Sequence, residues 1–143
     1  MKKRPTTRAA FTLLEIIIVV GLIAALSAAL ISGIRNMDQV GKIEIQRQFV
    51  TSGLEAPLMG FRLATGDYPT TDLGLAALKV RPPNVSAWAG PYTDHSLKDS
   101  WGQPYNYRYP SAHGLTYPDL WSNGPNRQNE NGKGDDIANW TEQ

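Results

Sequence analysis

The chain has 143 residues, with 14 Lys and Arg, 13 Asp and Glu, and no Cys. This length allows one domain of ordinary size once any membrane segment is subtracted. The absence of Cys excludes a disulfide scaffold, a thiolate metal site and a Cys nucleophile. Residues 1–10 contain four basic residues and no acid, so the rest of the chain has more acidic than basic residues. An acidic body argues against nucleic-acid binding, which needs a basic face on the folded part.

A long apolar segment follows the basic start. Residues 11–34 contain a single charged residue, Glu15. As a helix this segment would extend about 36 Å, which is enough to cross the hydrocarbon core of a bilayer. Because basic residues precede the segment and charges are sparse after it, we expect a single-pass helix with a cytoplasmic N-terminus. The body of the protein then lies on the other side of that membrane.

Three interpretations of this segment compete. A cleaved secretory signal peptide has a similar basic start, but its apolar run is shorter and usually contains no acid. A plain transmembrane anchor leaves Glu15 in lipid, at a cost of about 2.5 kcal/mol or more. In the third interpretation the chain is cut between Ala10 and Phe11, and the new amino group on a neighbouring copy neutralises Glu15. The third interpretation implies self-assembly.

The basic leader, the motif F-T-L-L-E at residues 11–15 and the apolar run together resemble the class III signal of type IV pilins and pseudopilins. This resemblance implies that residues 1–10 are a leader, which a membrane-embedded prepilin peptidase removes by cleavage between Ala10 and Phe11. It also implies N-methylation of Phe11 and a role for Glu15 in subunit assembly. Ala10 departs from the family pattern, which nearly always has Gly at this position.

The helical pattern continues beyond the membrane segment, over residues 35–65. Apolar residues recur on one stripe between polar ones, so we expect an amphipathic stem helix whose stripe packs on a sheet. Gly66 predicts the end of this helix, Gly53 is a weak point, and Pro57 should kink the helix or start a new turn. The stripe consists of Ile34, Met37, Val40, Ile45, Phe49 and Val50.

Residues 66–143 are predicted to form a small globular domain. A turn-like sequence precedes a short helix ending at Leu78, with Thr71 or Asp72 as its cap and Leu75 on its buried side.

The strand signals lie in the second half of this domain. Residues 105–109 alternate aromatic and polar side chains, which is typical of a strand with one aromatic face. A His-Gly turn at residues 113–114 leads to a second strand over residues 115–121, which Pro118 weakens. The two strands predict a hairpin that covers the stem. The expected fold is therefore α+β, with a long N-terminal helix, transmembrane in its first half, packed on a small antiparallel β-sheet.

The globular part also carries a series of consistently spaced motifs. They are Y-P-T-T at 68–71, G-L at 74–75, Leu78, Asp99, W-G at 101–102, Tyr105, H-G at 113–114, Ser122, Gly124 and D-D-I-A-N-W at 135–140. Together they resemble the major pseudopilin of type II secretion over nearly the whole chain. Ser100 stands where that family usually has Pro.

The resemblance implies a pilin-like structural subunit rather than an enzyme. Processed copies would leave the inner membrane and assemble through their N-terminal helices into a homo-oligomeric helical filament in the periplasm, the pseudopilus. This filament would drive export of folded proteins across the outer membrane. The implied partners are the prepilin peptidase, minor pseudopilins, an inner-membrane assembly platform and an outer-membrane secretin complex.

The polar loop of residues 122–137 corresponds to a calcium-binding loop in that family. The resemblance implies side-chain ligands at Asp135, Asp136 and Asn126. Backbone carbonyls near Asn123 and Pro125 would complete the set. Such a mixture of carboxylate, amide and carbonyl oxygens suits Ca²⁺.

One substitution weakens this implied site. Asn126 stands where the family usually has Asp, so the site has one negative charge fewer. Glu130 in the same loop is a candidate to compensate for that charge.

Other function classes have less support in the sequence. His95 and His113 lack the companions of a zinc site, and no Ser lies in a nucleophile motif. The four Trp residues are more often found in cores and subunit contacts than in sugar-binding platforms. The alternatives left open are a type IV pilin or minor pseudopilin, and, in a different class, a membrane-anchored carbohydrate-binding module or enzyme.

Overall fold

The computed structural model describes residues 12–141, apart from the side chains of residues 32–36. The chain divides into two compact units, one ending at Asp38 and the other beginning at Gln39. The predicted leader and the predicted cleavage between Ala10 and Phe11 lie outside the described residues, so both stay predictions.

Helix α1 spans Leu13–Gln48 and begins directly after a capping residue. The backbone N–H of Glu15 donates to the hydroxyl of Thr12 at 3.2 Å and to the carbonyl of Thr12 at 3.1 Å. A Thr cap satisfies a free donor of the first turn, and an acidic side chain there is favourable beside the positive end of the helix dipole. Thr12 therefore sets the helix start and places Glu15 in the first turn.

A π-helical turn, Phe49–Gly53, separates α1 from helix α2, which spans Glu55–Thr65. Side chains four residues apart drift by about 40° per step around an α-helix. A π turn is wider, so it reduces this drift and keeps such a series on one face. The buried series is Gln46, Val50, Leu54 and Leu58.

The buried face of the stem differs from the predicted apolar stripe. Val50 is buried and Phe49 is half-buried, as expected. Met37, Val40 and Ile45 are exposed instead, at 77%, 68% and 62%. The prediction that they pack on the sheet was wrong.

Gln46 occupies the buried face because its amide has partners there. Its Nε2 donates to Ser100 Oγ at 2.6 Å, and its Oε1 accepts from the hydroxyl of Tyr105. Burial raises the pKa of that hydroxyl, so Tyr105 stays neutral and continues to donate. Gln is usually a surface residue, and the partners of Gln46 lie far away in the chain, so the sequence pattern did not predict this network.

The end of the stem agrees with the sequence. Helix α2 ends at Gly66, whose φ of 98° is the left-handed conformation that favours Gly at a helix terminus. Pro57 lies in the first turn of α2, where a missing backbone N–H does little harm. The expectation that Pro57 marks a new turn is confirmed. The π-helical turn that interrupts the stem lies just before α2 and ends at Gly53.

The short helix of the globular domain is a 3₁₀-helix, Leu75–Leu78, with Leu75 and Leu78 buried as predicted. Its cap is Gly74, with no side-chain hydrogen bond, so the prediction of Thr71 or Asp72 as the cap was wrong. Thr71 Oγ1 instead donates to the carbonyl of Tyr109 at 3.0 Å and accepts from its N–H at 2.9 Å.

Three short strands form an antiparallel sheet in the order β1-β2-β3. Strand β1 is Asn106–Arg108, β2 is Asp119–Ser122 and β3 is Ile137–Ala138. The register pairs Tyr107 with Leu120 and Trp121 with Ala138. The α+β class and the hairpin are confirmed.

Two strand details differ from the prediction. The second strand begins after Pro118, so residues 115–117 are not part of it; Pro118 has no N–H for a ladder. Strand β3 was not predicted, because a strand of two residues is too short to show a period.

Both β2 and β3 pack against the π-helical turn. The buried hydrophobic core comprises Val50, Leu54, Leu58, Phe61, Tyr68, Leu75, Ala77, Leu78, Trp101, Tyr105, Leu120, Trp121 and Ile137.

Asp119 is fully buried in the middle of this sheet. Its carboxylate accepts from Ser111 Oγ at 2.5 Å and Ala112 N at 3.0 Å, and it lies 3.0 Å from His113 Nδ1 and 3.3 Å from Arg108 Nε. Burial alone raises the pKa of Asp119, but the hydrogen bonds from its neighbours in the loop outweigh burial and hold the pKa below its usual value.

Deleting Thr51 should destabilise the domain, because it changes which side chains of the stem face the core. With one residue fewer, the π turn becomes α-helical, and Val50 and the residues before it rotate away from the core. Losing a buried Val side chain costs about 1.5–3 kcal/mol, which urea unfolding in detergent can measure. Thr51→Ala is the control, because it removes an exposed hydroxyl that bonds Arg47 O and keeps the register. Equal stability of the two variants would contradict this role of the π turn.

Asp119→Asn should lower stability at neutral pH by about 1–3 kcal/mol, since it disrupts a buried hydrogen-bonded carboxylate. A lowered pKa in the folded state means that the stabilisation is present above the unfolded pKa of about 3.9 and is lost as the pH falls through the folded pKa. The variant should therefore show a shallower loss of stability on acidification below about pH 4. Urea unfolding between neutral and acidic pH tests this, with the exposed Asp94→Asn as control; an unchanged slope would refute it.

Candidate functional site

The apolar start of α1 presents its side chains outward. Leu13–Ile31 has a mean hydropathy of 2.7, is long and apolar enough to cross a membrane, and has no buried residue within the described chain. Its large hydrophobic side chains are between 48% and 79% exposed. So much apolar surface requires lipid or other protein to cover it.

Glu15 is the one acidic residue in this apolar surface. Its side chain is exposed in the first turn of α1. A carboxylate is costly in lipid unless a cation neutralises it, so Glu15 makes this surface selective for a partner that supplies one.

The acidic loop near the C-terminus closes around Asp135. Asn126 contacts both carboxylate oxygens: its backbone N–H donates to Oδ2 at 3.0 Å and its Nδ2 donates to Oδ1. Asp135 N in turn donates to Glu130 Oε2 at 3.2 Å. The structure thus brings together the predicted residues Asn126 and Asp135, with Glu130, the residue named as a candidate to compensate for the charge, beside them.

Asp136 has a different environment. Its Oδ2 accepts from the backbone N–H groups of Glu130 at 2.9 Å and Gly132 at 2.8 Å. Its Oδ1 is buried and, within residues 12–141, has no hydrogen-bond partner. A buried carboxylate oxygen without a partner costs free energy unless a proton, water or cation satisfies it.

The two remaining predicted ligands lie at the start of the loop. Asn123 is half-buried, and its side-chain oxygen accepts from Asn106 Nδ2 at 2.5 Å, which leaves its backbone carbonyl as the group assigned to a metal. Pro125 is also half-buried and has only a carbonyl to offer.

The donor set of this loop suits a hard cation that accepts neutral oxygens. Among residues 12–141, no group of three or more His, Asp or Glu side chains is arranged to hold a metal ion. The predicted donors are the free oxygen of Asp136, the carboxylate of Asp135, whose two oxygens accept from Asn126, and backbone carbonyls. Ca²⁺ accepts such mixtures, whereas Zn²⁺ prefers His and Cys ligands.

The segment after the loop anchors it to the sheet. Asn139 Nδ2 donates to Pro118 O at 2.9 Å, Asn139 Oδ1 accepts from Leu120 N at 3.0 Å, and Asn139 N donates to Leu120 O at 3.0 Å. Trp140 stacks on His113 with ring centroids 4.0 Å apart. These contacts hold residues 139 and 140 against the domain.

Asp99 is a structural residue whose role the sequence did not reveal. It is buried, and its Oδ1 accepts from Trp101 N at 3.0 Å and Gln103 N at 2.8 Å. Its Oδ2 accepts from Ser122 Oγ at 2.7 Å, which ties this turn to β2. The available signal was an Asp two residues before a Trp-Gly pair, the pattern of an Asx turn.

Ser111, His113 and Asp119 contain the residue types of a hydrolytic triad, but their geometry is different. Ser111 Oγ donates to Asp119, the same carboxylate that His113 Nδ1 contacts. A nucleophilic Ser must instead donate to the His that activates it. The cluster therefore holds the hairpin loop rather than activating a hydroxyl.

Comparisons with known proteins agree with these features. Residues 35–140 match the family model for type II secretion system (T2SS), protein G. Type II secretion system core protein G of Klebsiella pneumoniae is 34% identical over 139 residues, covering 92% of this chain and 93% of that protein. Core protein G of Vibrio cholerae serotype O1 is 32% identical, covering 96% and 95%.

A solved structure gives the same result. The crystal structure of the major pseudopilin from the type 2 secretion system of enterohaemorrhagic Escherichia coli matches with a TM-score of 0.59 and 31% identity. The match covers 71% of this chain and 88% of that one. The pilin-like fold is thereby confirmed, and the chain belongs to the protein G family of the type II secretion system, a family of structural pseudopilins.

Proposed function

We propose that this protein is the repeating subunit of a type II secretion pseudopilus. The observation that carries the proposal is the exposed apolar surface of Leu13–Ile31 with Glu15 in its first turn. A surface of this kind is stable in a bilayer before assembly and against the same surface of other copies afterwards. Burial between helices supplies the association energy, at about 25 cal/mol per Å² of apolar area.

Glu15 selects the register between copies in this proposal. Prepilin peptidase cleaves between Ala10 and Phe11, and the resulting N-methylated amine of Phe11 on one copy pairs with Glu15 of its neighbour. A salt bridge in a low-dielectric surrounding is favourable only when the two groups meet closely. A mismatched register leaves both charges unpaired, so the pair acts mainly as a specificity device.

The location and partners follow from this assembly. The subunit begins as a single-pass inner-membrane protein with a cytoplasmic N-terminus and a periplasmic domain, and the filament extends into the periplasm. An inner-membrane assembly platform inserts subunits, minor pseudopilins begin the filament, and the outer-membrane secretin receives it. The role is structural.

The acidic loop is proposed to bind Ca²⁺. Asp135 and Asp136 would be its charged ligands, with the amide of Asn126 and the backbone carbonyls of Asn123 and Pro125. The unpartnered, buried Oδ1 of Asp136 supports this assignment. When bound, the ion would neutralise the acidic groups that the loop gathers. Glu130 supports Asp135 N and supplies the charge that Asn126 lacks.

Glu15→Gln should permit membrane insertion and prevent most filament assembly. The amide keeps the size of the side chain and removes the charge that the neighbouring amine requires. Filament yield is measured by shearing and sedimentation, and mass spectrometry checks that both proteins begin at methylated Phe11. Glu44→Gln, which changes an exposed acid on the same helix, should assemble normally. Normal filament yield from Glu15→Gln, with normal processing, would contradict the charge-pairing proposal.

Calcium should raise the thermal unfolding midpoint of the full chain in detergent. Ligand at about 100 times its dissociation constant adds roughly 2.7 kcal/mol of stability, which corresponds to several degrees for a domain of this size. Asp136→Asn should abolish the response to Ca²⁺, whereas the exposed Asp94→Asn should retain it. Equal midpoints in millimolar Ca²⁺ and in chelator would remove the calcium proposal and leave the filament proposal intact.

A further inference from the structure

Trp140 contacts two loops that strand β2 separates in the chain. One face of its indole stacks on the imidazole of His113, with a centroid distance of 4.0 Å and an interplanar angle of 20°. Trp121 meets it edge-on, with centroids 5.6 Å apart. The position of the indole is therefore defined by its neighbours on several sides.

Gly132 in the acidic loop approaches the same indole closely. It has φ 83°, and a Cβ built on it would lie 2.8 Å from Cη2 and 3.0 Å from Cε2 of Trp140. No side chain fits at that separation, so the backbone of the loop rests directly on the ring. The N–H of Gly132 donates to Asp136 Oδ2 at 2.8 Å, which connects this contact to the acidic groups of the loop.

His113, which stacks on Trp140, lines a surface groove of about 610 Å³. Arg47, Leu115 and Asn139 line the same groove. His113 is also held through Nδ1 by the buried carboxylate of Asp119, at 3.0 Å. The imidazole and the indole of Trp140 thus both form part of the groove wall, where they stack on each other.

We propose that Trp140 is a positioning residue through which the acidic loop sets the shape of the groove beside His113. Closing the loop seats Gly132 on the indole, and the seated indole holds the imidazole in the groove wall. Opening the loop releases the indole and frees the ring of His113. Because coupling between two sites is reciprocal in free energy, removing the His113 ring also loosens the loop at Gly132.

The forward direction is tested with Gly132→Ala in the full chain in detergent. A Cβ at residue 132 displaces Trp140, so the His113 ring protons should lose the upfield NMR shift that the stacked indole causes. Gly102→Ala is the matched control, since Gly102 has φ 85° and no atom within 4 Å of a built Cβ. It carries the same backbone strain without the overlap, and it should leave the His113 signals in place. Unchanged His113 signals in Gly132→Ala would overturn the proposal.

The reverse direction uses His113→Ala and His113→Phe. The Ala variant removes the stacked ring, and hydrogen exchange at the Gly132 amide should accelerate about 5-fold or more. The Phe variant restores a stacking ring without the contact to Asp119, and it should return the exchange rate close to that of the wild type. Equal acceleration in both variants would assign the effect to Asp119 and overturn the role of Trp140. Both measurements are made without calcium, so their outcome is independent of the metal proposal.

Discussion

The constraint on which this molecule depends is an apolar helical surface that residues 12–141 leave exposed. The side chains of Leu13–Ile31 face outward along the whole segment, and no described residue buries them. Such a surface is compatible with lipid and with copies of itself. Glu15 distinguishes the two environments, because a carboxylate is expensive in lipid and favourable beside an amine. The same segment can therefore anchor a monomer and connect a filament.

Buried carboxylates take the place of disulfides in the globular part. The chain has no Cys, and a domain of this size has a limited core. Asp99 ties the turn before β1 to Ser122 of β2, and Asp119 holds the loop between β1 and β2. Each carboxylate accepts several hydrogen bonds, so removing one partner would leave a charged group poorly satisfied. These acids give a small sheet a defined geometry.

The acidic loop and the hairpin loop lie on either side of β2 in the chain and are joined again through residues 139 and 140. Asn139 bonds β2, Trp140 stacks on His113, and Gly132 rests on the indole. A change in the loop that gathers Asp135 and Asp136 therefore has a direct physical route to the groove lined by His113. This arrangement places the candidate cation site and the groove within one packed unit.

The sequence alone determined the features that arise from local chemistry. The apolar run, the position of Glu15, the end of α2 at Gly66 and the hairpin are all visible in periods, charges and turn residues. The family motifs located the acidic loop, because the residues of that loop are close in sequence. Local patterns are reliable when the partners of a residue lie within a few positions of it.

Only the tertiary structure decided which polar residues are buried and which apolar ones are not. Gln46 is buried because Ser100 and Tyr105, more than fifty residues away, satisfy its amide, while Ile45 beside it is exposed. Strand β3 forms because its two residues pair with β2. The π turn is apparent only from which side chains of the stem are buried. The free oxygen of Asp136 likewise depends on how the loop closes around it. In each case the deciding interaction joins residues far apart in the chain, and no periodicity records it.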